Sequence, residues 1–172
     1  MTLEAFKNEV LPGKNKYFRF AYSITNHREL AEDVVQEVLL KMWDHRIDLV
    51  DVKNLEAWCM RMIRNLSIDK LRVKANQNES IEKASGHFHF DPSPLEYTIS
   101  NEIQNMIGNL ISELPAKQQE VVKLRDVMGY SYQEMAEILE MDINTVKVTL
   151  FRARKKLREQ LIDLNIHGAE RA

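Results

Sequence analysis

Residues 129–158 read GYSYQEMAEILEMDINTVKVTLFRARKKLR, and this stretch decides the fold class. Ser131 and Glu134 make a Ser-x-x-Glu capping box, which starts a short helix that ends near Leu139. After the Glu140-Met141 turn, Asp142 is placed to cap a second helix, expected to run to about Leu161. Two helices joined by so tight a turn have the layout of a helix-turn-helix. In the second helix Ile143, Val146, Leu150, Ala153 and Leu157 recur at helical spacing and form one apolar stripe that must pack on the preceding helices. The opposite side carries Asn144, Val148, Phe151, Arg152 and Lys155, flanked by Lys147 and Arg158. Short or amide side chains followed by cations suit a major groove: the early positions reach base edges and the later ones meet phosphates. Contact with a thymine methyl accounts for Val148 and Phe151 in an exposed position. A basic helix taken alone fits a solvated face equally well, and the two apolar residues fit packing on another domain. The capped helix and tight turn ahead of it favour DNA.

Outward from this stretch the chain reads as all-helical. It has only four prolines and five glycines, no alternating strand pattern persists, and apolar residues recur at helical spacing almost everywhere. The pattern predicts helices over Lys14 to Thr25 after a Pro12-Gly13 turn, over Arg28 to Trp43, and over Leu55 to Lys74. Another begins across Asn101 to Leu110. Pro115 takes the first-turn position of a further helix that stops near Gly129. From Ala75 to Pro94 the periodicity gives way to Asn, Ser and Glu with Gly86, Pro92 and Pro94, a linker composition. The expected organisation is two small helical domains, 1–74 and 101–166, joined by a flexible linker over 75–100 and followed by a tail, 167–172. Each core is small enough that partner binding contributes to stability.

Charge is sorted along the chain, although the net charge is only -2. From Arg28 to Glu56 eight acidic residues face four basic; from Arg61 to Lys74 five basic face one acidic; from Asn144 to Arg158 six basic meet no acid. One acidic and two basic helical segments imply at least two partners, one of them polyanionic. No run approaches a membrane span, and Met1 to Leu11, with Glu4, Lys7 and Glu9, lacks the layout of a signal peptide. A cytoplasmic protein is expected. The single cysteine, Cys59, has no internal partner and no zinc cluster, and its place beside an apolar stripe predicts a buried thiol. There is no phosphate-cradling Gly loop, no HExxH and no nucleophile motif. The expectation is a protein that is not an enzyme, with no cofactor, no metal and no small-molecule substrate. His87-Phe88-His89-Phe90-Asp91 falls in the linker, with no distant Cys or His to complete a metal site.

The helix from Arg28 to Trp43 narrows the reading. Ala31, Val34, Val35, Val38 and Met42 share its inward side, whereas Asp33, Gln36, Leu40 and Trp43 share another, with Glu37 beside them. A face mixing acids, an amide, Leu and Trp suits a protein partner; geometry alone favours a solvated acidic face with Trp43 completing the core. Ala31 to Trp43, AEDVVQEVLLKMW, resembles the region of sigma factors that docks on the coiled coil of the polymerase beta-prime subunit. In the next helix Leu55, Trp58, Met62 and Leu66 are expected inward, with Arg61, Arg64, Asn65, Ile68 and Arg72 outward. Asn54 to Arg72 resembles the sigma helix that recognises and helps melt the minus 10 promoter element. There, cations hold phosphates and Asn65 reads a base edge.

Leu114 to Val121 and Gly129 to Glu137 resemble the second domain of the same family, and Thr145 to Lys147 with Phe151 to Leu157 resemble its minus 35 reading helix. The ordered set spans nearly the whole chain and is similar to the extracytoplasmic-function group of the sigma-70 family. That resemblance implies core docking through Asp33, Gln36, Glu37, Leu40 and Trp43, and minus 10 contacts from Arg61, Arg64, Asn65, Ile68 and Arg72. It implies minus 35 contacts from Asn144, Thr145, Lys147, Val148, Phe151, Arg152 and Lys155. It also implies a loop over roughly His45 to Lys53 that receives a flipped base, partners in the beta-prime coiled coil, the beta flap and promoter DNA, and a controlling anti-sigma factor. The chain departs from the family pattern at Glu140, where Gly is frequent in the turn, and at Asn144, Val148 and Thr149 in the reading helix. A conventional helix-turn-helix regulator with a helical sensor domain is the alternative; it needs neither the acidic helix nor the Arg61 to Arg72 helix.

Overall fold

A computed structural model of the chain describes residues 2–76 and 99–169 and divides it into two compact units. The first begins with α1 (Leu3–Ala5), capped by Thr2, whose hydroxyl accepts the Ala5 N–H at 3.1 Å. The chain winds on through a π turn (Phe6–Val10) and a 3-10 turn (Leu11–Gly13) into α2 (Lys14–Thr25). This entry was not foreseen. Phe6 and Val10, one turn apart, are buried, and Pro12 falls in a first turn where its missing N–H costs nothing. Gly13 is required for a packing reason: a Cβ there would overlap the ring of buried Tyr17. Gly13→Ala is therefore expected to destabilise the first unit by about 1–3 kcal/mol, read as a lower tryptophan-detected melting temperature.

α2 ends at Asn26, held left-handed at φ 52, and His27 then caps α3 (Arg28–Asp44) by accepting the Leu30 N–H at 3.3 Å. Leu30, Ala31, Val34, Val35, Val38 and Met42 of α3 are buried, the inward face that its spacing predicts. A 3-10 turn (Asp48–Asp51) buries Leu49. Asn54 then caps α4 (Leu55–Asn76), its side-chain oxygen accepting the Ala57 N–H at 2.9 Å. α2, α3 and α4 pack on one another around Tyr17, Phe20, Val34, Val38, Met60 and Ile63. One expectation is corrected here. The buried residues of α4 are Ala57, Cys59, Met60, Ile63 and Ser67, whereas Leu55, Trp58, Met62 and Leu66 remain partly exposed.

The second unit contains α5 (Ile99–Ser112), α6 (Ala116–Val122), α7 (Tyr132–Leu139) and α8 (Ile143–Ala169). Pro115 directly precedes α6, which continues as a π turn (Lys123–Val127), and Gly129 at φ 79 stops it. The capping box forms as written: Glu134 accepts the Ser131 N–H at 2.8 Å and Ser131 accepts the Glu134 N–H at 3.2 Å. The tight turn keeps a left-handed residue although it is not glycine, with Glu140 at φ 53 and the Met141 N–H returned to the Ala136 carbonyl at 3.1 Å. α8 outruns its expected end near Leu161 because no Gly or Pro interrupts it before Gly168. Val146, Leu150 and Ala153 are buried, with Ile143 and Leu157 at the stripe's ends partly covered. Of the expected linker, positions 75–76 complete α4 and 99–100 open α5; the remainder, with the His87 to Asp91 cluster, lies outside the described residues.

Candidate polymerase and nucleic-acid interfaces

The outward side of α3 mixes acidic, amide and apolar side chains. Asp33 and Gln36 are exposed, Leu40 is 63% exposed, and Trp43 is partly exposed. The Trp43 ring meets Phe6 edge-on at 5.4 Å between centroids and carries the Arg46 guanidinium 4.6 Å above it, so its position is fixed from two sides. The two acids of the face differ. Among the described residues Asp33 has no ion pair or hydrogen-bonding partner for its carboxylate. Glu37 binds Lys41 at 2.8 Å and Lys70 of α4 at 3.0 Å. The Lys41 hydrogen bond, then that of Lys70, holds the Glu37 carboxyl below the usual carboxylate range. Asp33, Gln36 and Leu40 thus offer an unengaged anion, an amide and an apolar surface to one partner.

On α4, Arg72 is exposed and Arg61, Arg64, Asn65 and Ile68 are partly exposed, so none of the five expected outward residues is buried. Arg64 donates to the Asn65 side-chain oxygen at 3.2 Å. In the stretch from His45 to Lys53, Ile47 and Val50 are exposed on either side of buried Leu49. That loop has no Phe, Tyr or Trp, so aromatic platforms are sparse there and a base would be held more by backbone and polar groups than by stacking.

On α8 the outward side comes together as expected. Asn144, Thr145, Lys147, Val148, Phe151, Arg152 and Lys155 are all exposed, Phe151 by 71% and Val148 by 48%. Asp142 caps the helix by accepting the N–H groups of Asn144 at 3.0 Å and Thr145 at 2.9 Å. The Thr145 hydroxyl also donates to that carboxylate and is the first cause of its lowered pKa. Thr145 is therefore engaged in the cap through both its backbone N–H and its hydroxyl. Two residues of this surface escaped sequence reasoning. Tyr132, at the start of α7, lies under the Lys147 ammonium at 5.7 Å and the Arg125 guanidinium at 4.9 Å, while Arg125 donates to the Tyr130 carbonyl at 2.7 Å. The tyrosines on either side of the capping Ser131, Tyr130 and Tyr132, were the available signal. Arg154 points elsewhere: it grips Asp126 through two donors and ties α8 to the π turn. Among the described residues no cluster of His, Cys, Asp and Glu is arranged to hold a metal.

Comparison with known proteins agrees with this arrangement. The family model described as Sigma-70 region 2 matches residues 14–77, and that described as Sigma-70, region 4 matches residues 104–157. The chain is 30% identical over 171 residues to the ECF RNA polymerase sigma factor SigW of Bacillus subtilis (strain 168), an alignment covering 94% of this chain and 91% of that protein. It is also 30% identical over 136 residues to the RNA polymerase sigma factor SigZ of the same organism, covering 79% and 75%. A solved relative is the sigma factor RpoE from Bartonella quintana, crystallised in complex with the anti-sigma factor NepR. It has 27% identity and a TM-score of 0.71, over 92% of this chain and 98% of that one. With region 2 followed by region 4 and this similarity along nearly its whole length, the chain belongs to the extracytoplasmic-function RNA polymerase sigma factors.

Proposed function

We propose how this sigma factor, which directs RNA polymerase to promoters, divides the work among its faces. The α3 face of Asp33, Gln36, Leu40 and Trp43, with Glu37 at its margin, docks on the beta-prime coiled coil. The outward side of α4, from Arg61, Arg64, Asn65 and Ile68 to Arg72, engages and helps open the minus 10 region, with the His45 to Lys53 loop taking a flipped base. The outward side of α8, from Asn144, Thr145, Lys147 and Val148 to Phe151, Arg152 and Lys155, reads minus 35, and the second unit meets the beta flap. The observation that carries this reading is the separation of one acidic and apolar face from two basic ones in a single chain. A regulator that binds duplex DNA alone has no use for the first.

Each unit alone binds its element weakly; core polymerase holds both at fixed spacing and raises their effective concentration. The protein acts by binding, without catalysis, and in the cytoplasm; no helix among the described residues is long and apolar enough to cross a membrane. The complex formed by the Bartonella relative supports a controlling anti-sigma factor that covers these surfaces.

Run-off transcription with purified core and a promoter library tests the reading. Promoter-specific transcripts that depend on this chain are expected. Absence of such transcripts, together with a nanomolar duplex shift by the chain alone, would replace it with the regulator. Within this scheme Arg152→Ala is expected to weaken minus 35 binding and to shallow its salt dependence by about one unit. An unchanged slope removes Arg152 from the phosphate contacts.

A further inference from the structure

Three residues from three parts of the second unit meet at one aromatic ring. Tyr132 opens α7, Arg125 lies in the π turn that continues α6, and Lys147 lies near the start of α8. The Arg125 guanidinium is 4.9 Å from the centre of the Tyr132 ring and the Lys147 ammonium 5.7 Å, both within reach of a cation–π contact. Arg125 is tethered a second time, by its 2.7 Å hydrogen bond to the Tyr130 carbonyl. Lys147 has only the ring to hold it, and an exposed lysine without such a support samples many rotamers.

The ring gathers like charges. Among the described residues neither Arg125 nor Lys147 forms an ion pair, whereas Arg154, two helical turns beyond Lys147 on the same flank of α8, is taken up by Asp126. Two cations drawn together without a counter-charge suit a polyanion, and holding them in place beforehand leaves less ordering for the moment of binding. Lys147 follows Asn144 by three residues and precedes Phe151 by four, so it borders the exposed side that carries both. A cation at that border is placed for the backbone of the strand whose bases the side faces.

We infer that Tyr132 is a positioning residue, whose ring gathers Arg125 and Lys147 into a clamp on the sugar-phosphate backbone beside the minus 35 bases, with Arg125 a phosphate contact in its own right. The inference rests on the minus 35 reading of α8. One arm of its test needs no DNA. In the full chain the Lys147 methylene protons, shifted by the Tyr132 ring, are expected to return to ordinary lysine positions in the NMR spectrum of Tyr132→Leu and to stay shifted in Tyr132→Phe. The other arm follows closed complexes of holoenzyme on a promoter drawn from the run-off library, across a series of KCl concentrations. Arg125→Gln and Lys147→Gln are each expected to shallow the salt dependence by about one unit, with base preference at minus 35 unchanged. Tyr132→Leu is expected to weaken binding about fivefold, and Tyr132→Phe to restore it. Added to Arg125→Gln/Lys147→Gln, Tyr132→Leu is expected to change nothing further, because the ring then has no cation to place.

An unchanged salt slope in Arg125→Gln, while Val148→Ala/Phe151→Ala still alters base preference, overturns the inference and leaves the reading of α8 standing. A loss from Tyr132→Leu that persists once both cations are gone overturns it as well, because the ring would then only support packing. So do Lys147 protons that keep their positions in Tyr132→Leu. Where Tyr132→Leu does not fold, the slopes of the two cation variants decide. If Val148→Ala/Phe151→Ala leaves base preference untouched, the reading of α8 fails and the phosphate clamp with it, while the NMR arm still judges whether the ring holds Lys147.

Discussion

Asp33→Lys/Leu40→Asp is expected to abolish association with RNA polymerase core, weakening it at least ~100-fold, without altering the melting of the free protein. Leu40 is 63% exposed and Asp33 is exposed with no intramolecular partner among the described residues, so neither substitution removes a contact that holds the fold. Both sit at the centre of the α3 face. Burying a new charge at Leu40 and reversing the one beside it forfeits about 3–4 kcal/mol or more, the range of an interface hot spot. Glu37 is a poorer probe, because its reversal also places a cation against Lys41 and Lys70. The measurement is a titration of labelled protein with core, with thermal melting as the control for folding. Wild-type affinity in the double variant would remove α3 from the docking surface.

Alkaline pH is expected to drive the stabilities of the two units in opposite directions. In the first, burial pushes the Cys59 thiol up to about 12, and Tyr17 beside it rises above its usual range for the same reason. Above about pH 9 the unfolded chain releases protons that the folded unit keeps, so the folded state binds more of them and stability falls as pH rises. In the second unit, burial pulls the Lys123 ammonium down to about 8, against a smaller opposing pull from Glu120. Between about pH 8 and 10.5 the unfolded chain holds a proton that the folded unit has lost, so stability rises across that window. Each effect is on the order of 3 kcal/mol over its full range, which is large for units of this size. Both tryptophans, Trp43 and Trp58, belong to the first unit, so tryptophan fluorescence follows it alone while far-UV circular dichroism follows both. A fluorescence-detected midpoint that climbs with pH would contradict the assignment for Cys59. Lys123→Met is expected to stabilise the second unit at neutral pH by about 1–3 kcal/mol, because a buried charge is exchanged for an apolar side chain of similar length. A variant no more stable than wild type would show that the ammonium is adequately compensated where it lies.

α3 and α8 were legible in the sequence because each has a single apolar stripe, and one stripe leaves one way to pack. The caps at Asp142 and the Ser131–Glu134 box were legible because they are local: the chemistry and the partner lie within a few residues. α4 was misread for a reason that its structure makes plain. Apolar residues occupy two neighbouring sides of it, and which of them is fully buried is set by packing against α2 and α3, remote along the chain, which periodicity does not register. The helical entry through Phe6 and Val10 was missed because a segment that short carries too few turns to show a period, and Pro12-Gly13 looks like a break. Lys123 gave no warning of its burial. A lysine in an amphipathic helix is ordinarily placed on the wet side, and only the packing around the π turn draws this one in.

Arg154 and Asp126 separate the two duties of α8. Anchorage depends on that pair and on Val146, Leu150 and Ala153, none of which shares the outward side with Asn144, Val148, Phe151 and Arg152. On the proposed reading of minus 35 by α8, promoter preference is an exchangeable cassette: the outward residues can drift, or be transplanted from a paralogue, at little cost to the scaffold. A cell carrying several such proteins can diversify what each one reads while every copy keeps the same way of joining the polymerase.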